Sequence, residues 1–406
     1  MNSFGQTLRQ HRTAAGLGLR GLARLVYSDY GHVARVERGE SGGSEALARA
    51  CDAALHAGGA LVVAYQREQA GDTEMHRRTV LRAMTVLAAT PAVGPLVGLE
   101  ALRHGLKIAN NSDVDEWDQI VADYGTSYYR EPAETRMAHL NADLTVLQHQ
   151  IAADTGARRP RLLRAGARLC VMVALGLVAS GQNLLATRWW QTAHWIADQS
   201  EDPDTIVLVH AWDVVNGCYD GRTHDTLVAM SDRALPLMSG RAATASACGL
   251  LAGRAQALSL AGRHAEAVAT VRRLSDLVDR LPDAITGNVE SLWGWPEHRL
   301  RHTESWVYTH AGKLDTAETA QDRALALYPP SQARLRAQVQ LHRAANLIRG
   351  GHIPDGLRLA TDLLDELPVQ QHNHLLHAVA RQVVDAVPEA ERCRPAFGDL
   401  AERVHA

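Results

Sequence analysis

The chain has 406 residues, a formal net charge of -3 and 46% hydrophobic residues. This length suffices for two or three domains, and a balance so near neutrality excludes binding to nucleic acid or membranes through overall charge alone. The charge is unevenly distributed, however, since residues 1–67 contain eight arginines against five acidic residues. This local positive excess is permissive for anion binding at the start of the chain.

The five cysteines are widely spaced, and none belongs to a Cys-x-x-Cys pair. This argues against a disulfide scaffold and against structural zinc, and it favours free thiols. The first residues lack an apolar segment preceded by basic residues, and the most apolar window is interrupted by Pro91 and Pro95. We therefore expect a cytoplasmic protein with no membrane partner.

Apolar residues recur every three to four positions along most of the chain, and alternating strand patterns are nearly absent, which predicts an all-α fold. Residues 1–67 contain five short predicted helices, with capping residues such as Asp29 and Ser44 and stops such as Gly16 and Gly39. A tight turn separates the second and third helices. This arrangement is typical of a helix-turn-helix domain.

Beyond a polar linker and connecting helix, residues 68–99, a glycine followed five residues later by a small residue recurs at intervals of 39 to 50 residues. The pairs are Gly181/Ala186, Gly221/Thr226, Gly262/Ala267, Gly312/Ala317 and Gly351/Gly356. Such a period, with two helices per repeat, is typical of an α-solenoid. The glycine permits a tight turn, and the small residue permits close helix packing. We therefore predict a repeat domain over residues 100–406.

The stretch LRQHRTAAGLGLRGLARLV is followed by YGHVARVERGE, a helix that ends in Glu-Arg-Gly. In this ordered combination, residues 4–55 resemble the Xre-type, lambda-repressor-like helix-turn-helix domains. The resemblance implies that the third helix enters the major groove of DNA. The family often has Gly-Val-Ser at the preceding turn, where this chain has Tyr27-Ser28-Asp29.

The family's base-contact positions fall on Tyr30, Gly31 and Arg35. Arg35 is suited to a bidentate contact with guanine, whereas Gly31 has no side chain with which to read a base. The phosphate-contact candidates are Arg20, His32 and Arg38. Since one such domain covers only a short half-site, we expect a homodimer on a near-palindromic double-stranded operator.

Arg12 and Glu37 match an arginine–glutamate pair that joins the first and third helices in the family. We assign this pair a structural role, because a carboxylate facing DNA would repel phosphate. The alternative for the whole domain is a helix-turn-helix fold used only for protein contact.

From about residue 100 the chain resembles tetratricopeptide-like repeats. The two-part architecture resembles actinobacterial regulators and, more distantly, the RRNPP group, which implies a signalling peptide in a concave groove and dimerisation through the repeats. Asn216 and Asn346 each stand five residues before a repeat glycine, and their amides can donate to and accept from a peptide backbone. The candidate ligand-binding residues are Trp212, Asp213, Asn216, Tyr219, Arg254, Glu304, His342 and Asn346. The alternative is that the two asparagines only tie helix ends or loops together.

Two tryptophan clusters occur, in TRWWQTAHW and in LWGWPEH. Tryptophans in a solenoid are more often core than ligand cage. The second cluster lies in the irregular stretch ITGNVESLWGWPEHRLRH, and a long connection in a regular stack often carries function.

Histidine pairs give two weak metal candidates, in which Glu297 stands beside His298 and His302, or His372 and His374 stand near His377. No third ligand is implied, and His-Glu-x-x-His, phosphate-loop and Gly-x-Ser-x-Gly patterns are absent. We therefore predict no catalytic site, no metal and no cofactor.

These patterns together predict a sequence-specific DNA-binding transcriptional regulator whose repeat domain dimerises and senses a peptide, small molecule or partner protein. The alternative is a protein-interaction scaffold, in which the repeats bind a partner protein and DNA binding is secondary or lost.

Overall fold

The computed structural model describes residues 4–39, 41, 43–67, 103 and 113–405, and every regular element in these ranges is a helix. The predicted all-α class is therefore confirmed for the described chain. The chain divides into two compact units, Met1–Gly94 and Pro95–Ala406. The predicted linker over residues 68–99, which includes Pro91 and Pro95, lies outside the described residues.

The first unit has a small apolar core built from five described helices. They are α1 (Phe4–Ala14), α2 (Leu19–Leu25), α3 (Tyr30–Glu37), α4 (Glu45–Ala54) and α5 (residues 60–67). Helix α3 contacts α1 and α2, and α2 also contacts α4. The core side chains include Phe4, Leu8, Leu22, Val33 and Leu61, all at most 2% exposed. Short amphipathic helices of this kind depend on such mutual packing for their stability.

Polar side chains fix where these helices begin. The Asp29 carboxylate accepts a hydrogen bond from the backbone N–H of His32 at 3.0 Å, and Ser44 Oγ accepts one from the N–H of Leu47 at 3.1 Å. Both predicted N-caps are therefore confirmed. Each satisfies a backbone donor that the first turn of a helix leaves without an intrahelical partner.

The turn between α2 and α3 is closed by two backbone hydrogen bonds. The N–H of Ser28 donates to the carbonyl of Ala23 at 2.9 Å, and the N–H of Tyr27 donates to that of Arg24 at 3.4 Å. This pattern is a Schellman motif, which needs a left-handed residue at the position of Tyr27. Tyr27 has a φ of 51° and is 98% exposed. The turn thus forms without glycine, at the steric cost that a left-handed backbone imposes on a side chain.

We predict that Tyr27→Gly raises the free energy of unfolding of the first unit by about 0.5–1 kcal/mol, because glycine adopts a positive φ without a Cβ clash. Hydrogen exchange of the buried Leu22 and Val33 amides in the full chain measures the change. Tyr27→Ala is the matched control, since it removes the same exposed ring but keeps the Cβ. Equal protection in the two variants would contradict the explanation.

The second unit is a series of helices. Its first two are α6 (Asp113–Ser127) and α7 (Ala133–Ala153). Pairs then follow as α8 (Arg159–Ala179) with α9 (Asn183–Ser200), α10 (Pro203–Gly217) with α11 (His224–Ala234), and α12 (Ala245–Leu260) with α13 (His264–Val278). After the short α14 (Asp283–Thr286) come α15 (Glu297–His310) with α16 (Leu314–Leu327), α17 (Ala333–Arg349) with α18 (Ile353–Glu366), and α19 (His374–Asp385) with α20 (Pro395–His405).

The first helix of each pair, which we term a leading helix, contacts the leading helix of the next pair. The leading helices are α8, α10, α12, α15, α17 and α19. The last of them, α19, also contacts the first, α8, so the series returns on itself. At this closure His374 Nε2 lies 2.8 Å from the backbone carbonyl oxygen of Tyr219.

The five repeat glycines all have positive φ, between 66° and 88°, and each follows the leading helix of a pair. Gly356, at the small-residue position of the last repeat, lies so close to α17 that a Cβ there would stand 2.6 Å from the carbonyl oxygen of Ala344. The glycines therefore mark turns, as predicted. At the small-residue positions Ala186, Ala267, Ala317 and Gly356 are buried, whereas Thr226 is exposed, so the predicted close packing does not hold for that repeat.

Helix α8 is long and apolar enough to cross a membrane by length and composition, but 78% of its most apolar window is buried inside the protein. Core helices of soluble proteins pass the same test. Its buried residues, such as Leu169, Met172 and Val178, belong to the main core of the second unit.

The irregular connection before α15, residues 279–296, is termed the insert. It runs to α6, where the N–H of Leu292 donates to the carbonyl of Gly125 at 2.9 Å. The indole N–H of Trp293 donates to the carbonyl of Val121 at 2.7 Å. The longest interval in the repeat pattern is thus occupied by a segment that ties the start of the second unit to its middle.

Candidate functional site

Helix α3 of the first unit separates its side chains by face. Val33, Val36 and Glu37 are buried, whereas Arg35 and Arg38 are exposed. The exposed side of α3 therefore carries positive charge, and its one acidic side chain is turned inward.

The start of α3 lies beside the start of α2. The Arg20 guanidinium carbon lies 5.4 Å from the centre of the Tyr30 ring, within cation–π range, and Tyr30 is 49% exposed. A Cβ on Gly31 would stand 3.5 Å from Arg35 Nη1 and 3.0 Å from a carboxylate oxygen of Asp29. Gly31 thus leaves room for the Arg35 side chain to lie back along the start of the helix.

His32, the remaining predicted contact residue of α3, is half-buried. The structure therefore brings Arg20, Tyr30, Gly31 and Arg35 together at one end of α2 and α3, and it places the exposed Arg38 just after α3.

Glu37 is held by a bidentate pair with Arg12. Arg12 Nε lies 2.5 Å and Nη2 lies 2.7 Å from the two carboxylate oxygens, while Nη1 donates to the Leu17 carbonyl at 2.8 Å. The hydrogen bonding that Arg12 donates to the Glu37 carboxylate raises the pKa of Arg12, against the opposing effect of burial. The pair that the sequence suggested is therefore formed, and it joins α1 to α3.

We predict that Glu37→Gln lowers the free energy of unfolding of the first unit by about 2–3 kcal/mol, because it leaves Arg12 without its charged partner. Glu45→Gln is the matched control. It breaks the solvent-exposed Glu45–Arg49 pair on α4, and exposed pairs contribute only about 0.5 kcal/mol or less. Hydrogen exchange in the full chain measures both changes, and equal effects would contradict a structural role for Glu37.

The second unit contains a cavity of about 150 Å³. Its wall comes from the leading helices, from the insert and from the residues that follow α6, α10 and α16. Aromatic side chains form much of it, namely Tyr128, Tyr129, Trp212, Tyr219, Trp293, Trp295 and Tyr328. A mostly apolar cavity with a few convergent polar groups is the usual form of a small-molecule site.

Three of the eight predicted ligand-binding residues line this cavity, and all three come from α10 or the turn after it. They are Trp212, Asn216 and Tyr219. Asn216 is 2% exposed, and its Nδ2 donates to the Trp212 carbonyl at 2.9 Å. Burial raises the pKa of the Tyr219 hydroxyl.

The other five residues do not line the cavity, and each bonds to a neighbour. Asp213 pairs with His194 and Arg222 at 2.9 and 2.8 Å. Arg254 pairs with Asp232, and Glu304 with Arg301.

His342 is 2% exposed, and its Nδ1 lies 2.9 Å from Ser305 Oγ. Asn346 Nδ2 donates to the Leu314 carbonyl at 3.1 Å. This contact ties the end of α17 to the first residue of α16. It therefore matches the alternative role of the asparagines, which is to hold helix ends or loops together.

The sequence reasoning missed Arg299, which follows the insert on α15. Its Nη2 donates to Tyr129 Oη and to the Ser291 carbonyl, each at 3.2 Å. Its guanidinium carbon lies 5.7 Å from the ring centres of both Trp212 and Trp295. The irregular stretch around LWGWPEHR was the sequence signal for this region, but it did not single out the arginine.

Buried histidines form a layer beside the cavity. The His298 ring centre lies 4.4 Å from that of Tyr328, His302 Nδ1 lies 2.9 Å from Tyr328 Oη, and the His302 and His342 ring centres are 5.2 Å apart. Burial lowers the pKa of His298 to about 3 and that of His302 to about 4, and it holds the pKa of His342 well below its usual value. These rings are therefore neutral at physiological pH.

Neither predicted histidine cluster is arranged as a metal site. Within the described ranges, no group of three or more His, Cys, Asp or Glu residues is placed to hold a metal ion. Instead, His372 Nδ1 lies 3.4 Å from His377 Nε2, and His374 Nε2 bonds to the backbone carbonyl of Tyr219. The five cysteines are free thiols, three of them buried.

We predict that the second unit loses stability as the pH falls from 6.5 toward 4. The folded state binds fewer protons than the unfolded state in this window, because the pKa of histidines such as His302 is lower when folded. By pH 5, each such histidine lowers the free energy of unfolding of the second unit by on the order of 1–2 kcal/mol. Urea unfolding followed by tryptophan fluorescence measures this, since all eight tryptophans lie in the second unit.

His302→Gln should flatten this pH dependence, whereas His352→Gln, which removes an exposed histidine, should leave it unchanged. Identical pH profiles for the two variants would contradict the assignment to buried histidines.

Comparison with protein-family models, with curated proteins and with solved structures gives no match for this chain.

Proposed function

We propose that this protein is a cytoplasmic, sequence-specific DNA-binding transcriptional regulator of the Xre type, whose tetratricopeptide-like repeat unit dimerises and senses a ligand. The observation that carries the proposal is the segregation of charge on α3. Its exposed side presents Arg35 next to Arg38, while Glu37 is buried against Arg12. An exposed side that carries arginines and no carboxylate is compatible with the negative charge of a phosphate backbone.

In this proposal α3 lies in the major groove. Arg35 donates to a guanine edge, and Tyr30 contacts a neighbouring base. Arg20, His32 and Arg38 contact phosphates, which position the helix without specifying sequence. With Gly31 at a reading position, half-site spacing in a homodimer supplies much of the selectivity.

The cavity supports the sensing role. It is lined by helices from every pair of the second unit, so a ligand that favours one arrangement of the pairs over another would shift the population of that arrangement. A cavity of about 150 Å³ is large enough for a small molecule.

A protein-interaction scaffold is the second candidate, and an apolar surface on α9 favours it. Leu184, Leu185 and Trp195 are 70%, 41% and 62% exposed. These exposed apolar side chains are available for contact with another protein, which includes the homodimer contact proposed above. Salt-dependent, sequence-selective binding to the gene's own upstream DNA separates the regulator from the scaffold.

We predict that Arg35→Ala weakens binding to the preferred sequence by about 1–3 kcal/mol and relaxes the choice of base at one position of each half-site. Arg38→Ala should weaken binding to all sequences alike. It should also lower the magnitude of the slope of log K against log[salt] by about one per half-site. Fluorescence anisotropy with labelled upstream DNA, at several salt concentrations, measures both effects.

Arg49→Ala is the matched control, because Arg49 is an exposed arginine on α4, away from the α3 face. The Arg49→Ala variant should bind DNA with the same affinity and selectivity as the unchanged protein. If Arg35→Ala behaves as this control does, the base-reading role assigned to Arg35 is wrong.

A further inference from the structure

The cavity of the second unit carries positive charge. Two arginines, Arg299 and Arg334, line it, and no acidic residue is found among the described residues of its wall. His302, the one histidine in the wall, has a pKa lowered to about 4 by burial, so it adds no charge at neutral pH. A neutral molecule would leave this charge without a counterion.

Arg299 is positioned to bind an anion. Only its Nη2 donates a hydrogen bond to another described residue, and the two acceptors are a tyrosine hydroxyl and a backbone carbonyl, both uncharged. Nη1 and Nε have no acceptor in the described part of the chain, and Arg299 forms no ion pair there. Nη1 and Nε lie on different edges of the guanidinium, so each is available to donate one charge-assisted hydrogen bond to a carboxylate oxygen.

Two further polar groups of the wall lack partners. Gln256 is 5% exposed and its Oε1 has no hydrogen bond, while Trp295 is 6% exposed and its indole Nε1 has none, among the residues that the structure describes. Buried polar atoms are nearly always hydrogen-bonded in folded proteins. Both atoms are themselves inaccessible to water, so a ligand in the cavity does not contact them in this arrangement.

The rest of the wall is apolar or aromatic. The rings of Trp212 and Trp295 both lie within cation–π range of Arg299, and the small residues Gly249 and Ala252 belong to the same wall. A wall of this kind favours a flat, apolar molecular body next to the charge. Since a single water needs about 10–15 Å³ by the same measure, the cavity accepts on the order of ten non-hydrogen atoms.

We propose that this cavity binds a small carboxylate with an aromatic or cyclic apolar body, with the carboxylate on Arg299 and the ring between Trp212 and Trp295. A monoanion fits better than a phosphate ester, because the mostly apolar wall offers little to solvate a second negative charge. The proposal deepens the sensing role and rests on the proposed function for its regulatory consequence, whereas binding itself does not depend on DNA.

Calorimetric titration of the full chain without DNA tests the proposal. The probes are benzoate, 3-phenylpropionate, indole-3-carboxylate and 2-naphthoate, each paired with its primary amide, which has nearly the same shape and no charge. Phenyl phosphate is a further probe. At least one carboxylate should bind about 10- to 100-fold more tightly than its amide, as expected for a charge-assisted hydrogen bond. It should also bind more tightly than phenyl phosphate and quench tryptophan fluorescence.

Arg299→Met should abolish the preference for carboxylate over amide, and Arg299→Lys should retain part of it. Arg273→Met, which removes an exposed arginine of α13, is the matched control and should bind as the unchanged protein does. Thermal unfolding shows whether the Arg299 variants are folded. If they are not, the comparison of acid with amide in the unchanged protein decides alone.

The proposal is overturned if every acid and its amide bind alike, if no acid binds at millimolar concentration, if phenyl phosphate binds best, or if folded Arg299→Met keeps the preference. DNA affinity is measured separately with and without the bound acid. Carboxylate binding without any DNA binding would refute the proposed function and leave the ligand assignment standing. DNA binding without carboxylate binding would refute the ligand assignment and leave the proposed function standing.

Discussion

The attachment of the insert to α6 is the constraint on which the interior of the second unit depends. Leu292 and Trp293 donate to backbone carbonyls of Gly125 and Val121, more than 160 residues earlier in the chain. The approach is so close that a Cβ on Gly125 would stand 2.2 Å from the Trp293 ring. Because the insert runs along one side of the leading helices, the space between them becomes a walled cavity. The same contact sets the position of Arg299, whose guanidinium donates to the Ser291 carbonyl of the insert.

The two candidate sites use arginine in opposite physical settings. Arg35 and Arg38 are exposed, so water solvates much of each side chain and their placement costs little. Arg299 is half-buried among aromatic rings and has lost part of that solvation. The first setting suits a large, hydrated polyanion, and the second suits a small anion that brings its own apolar surface.

The features that the sequence predicted correctly are local. Asp29 and Ser44 cap helices because each side chain reaches an amide three residues onward, and the repeat glycines mark turns that form within a few residues. The Arg12–Glu37 pair spans 25 residues and was accessible only through resemblance to a family.

The ligand residues depended instead on long-range packing. Asn346 donates to Leu314, 32 residues away, and Tyr129 meets Arg299 across 170 residues. Spacing within one repeat identifies residues on the same helix face, but not which of them the neighbouring repeats leave exposed to the interior. Trp212, Asn216 and Tyr219 belong to one helix and its turn and lie on the cavity together, whereas the candidates on α12, α15 and α17 are bonded elsewhere.

The distinction between a structural and a binding arginine follows from how each is paired. Arg222 in the same unit is neutralised by Asp213 and Asp220, and its partners raise its pKa despite burial. Arg136 and Arg336 are held in another way, since each donates to two backbone carbonyls, and neither lines the cavity. Arg299 has aromatic rings, a hydroxyl and a carbonyl around it and no carboxylate within the described chain. Arg299 differs from these other arginines because it combines uncharged partners with a place in the cavity wall, where a small anion would supply the counterion that the described chain does not.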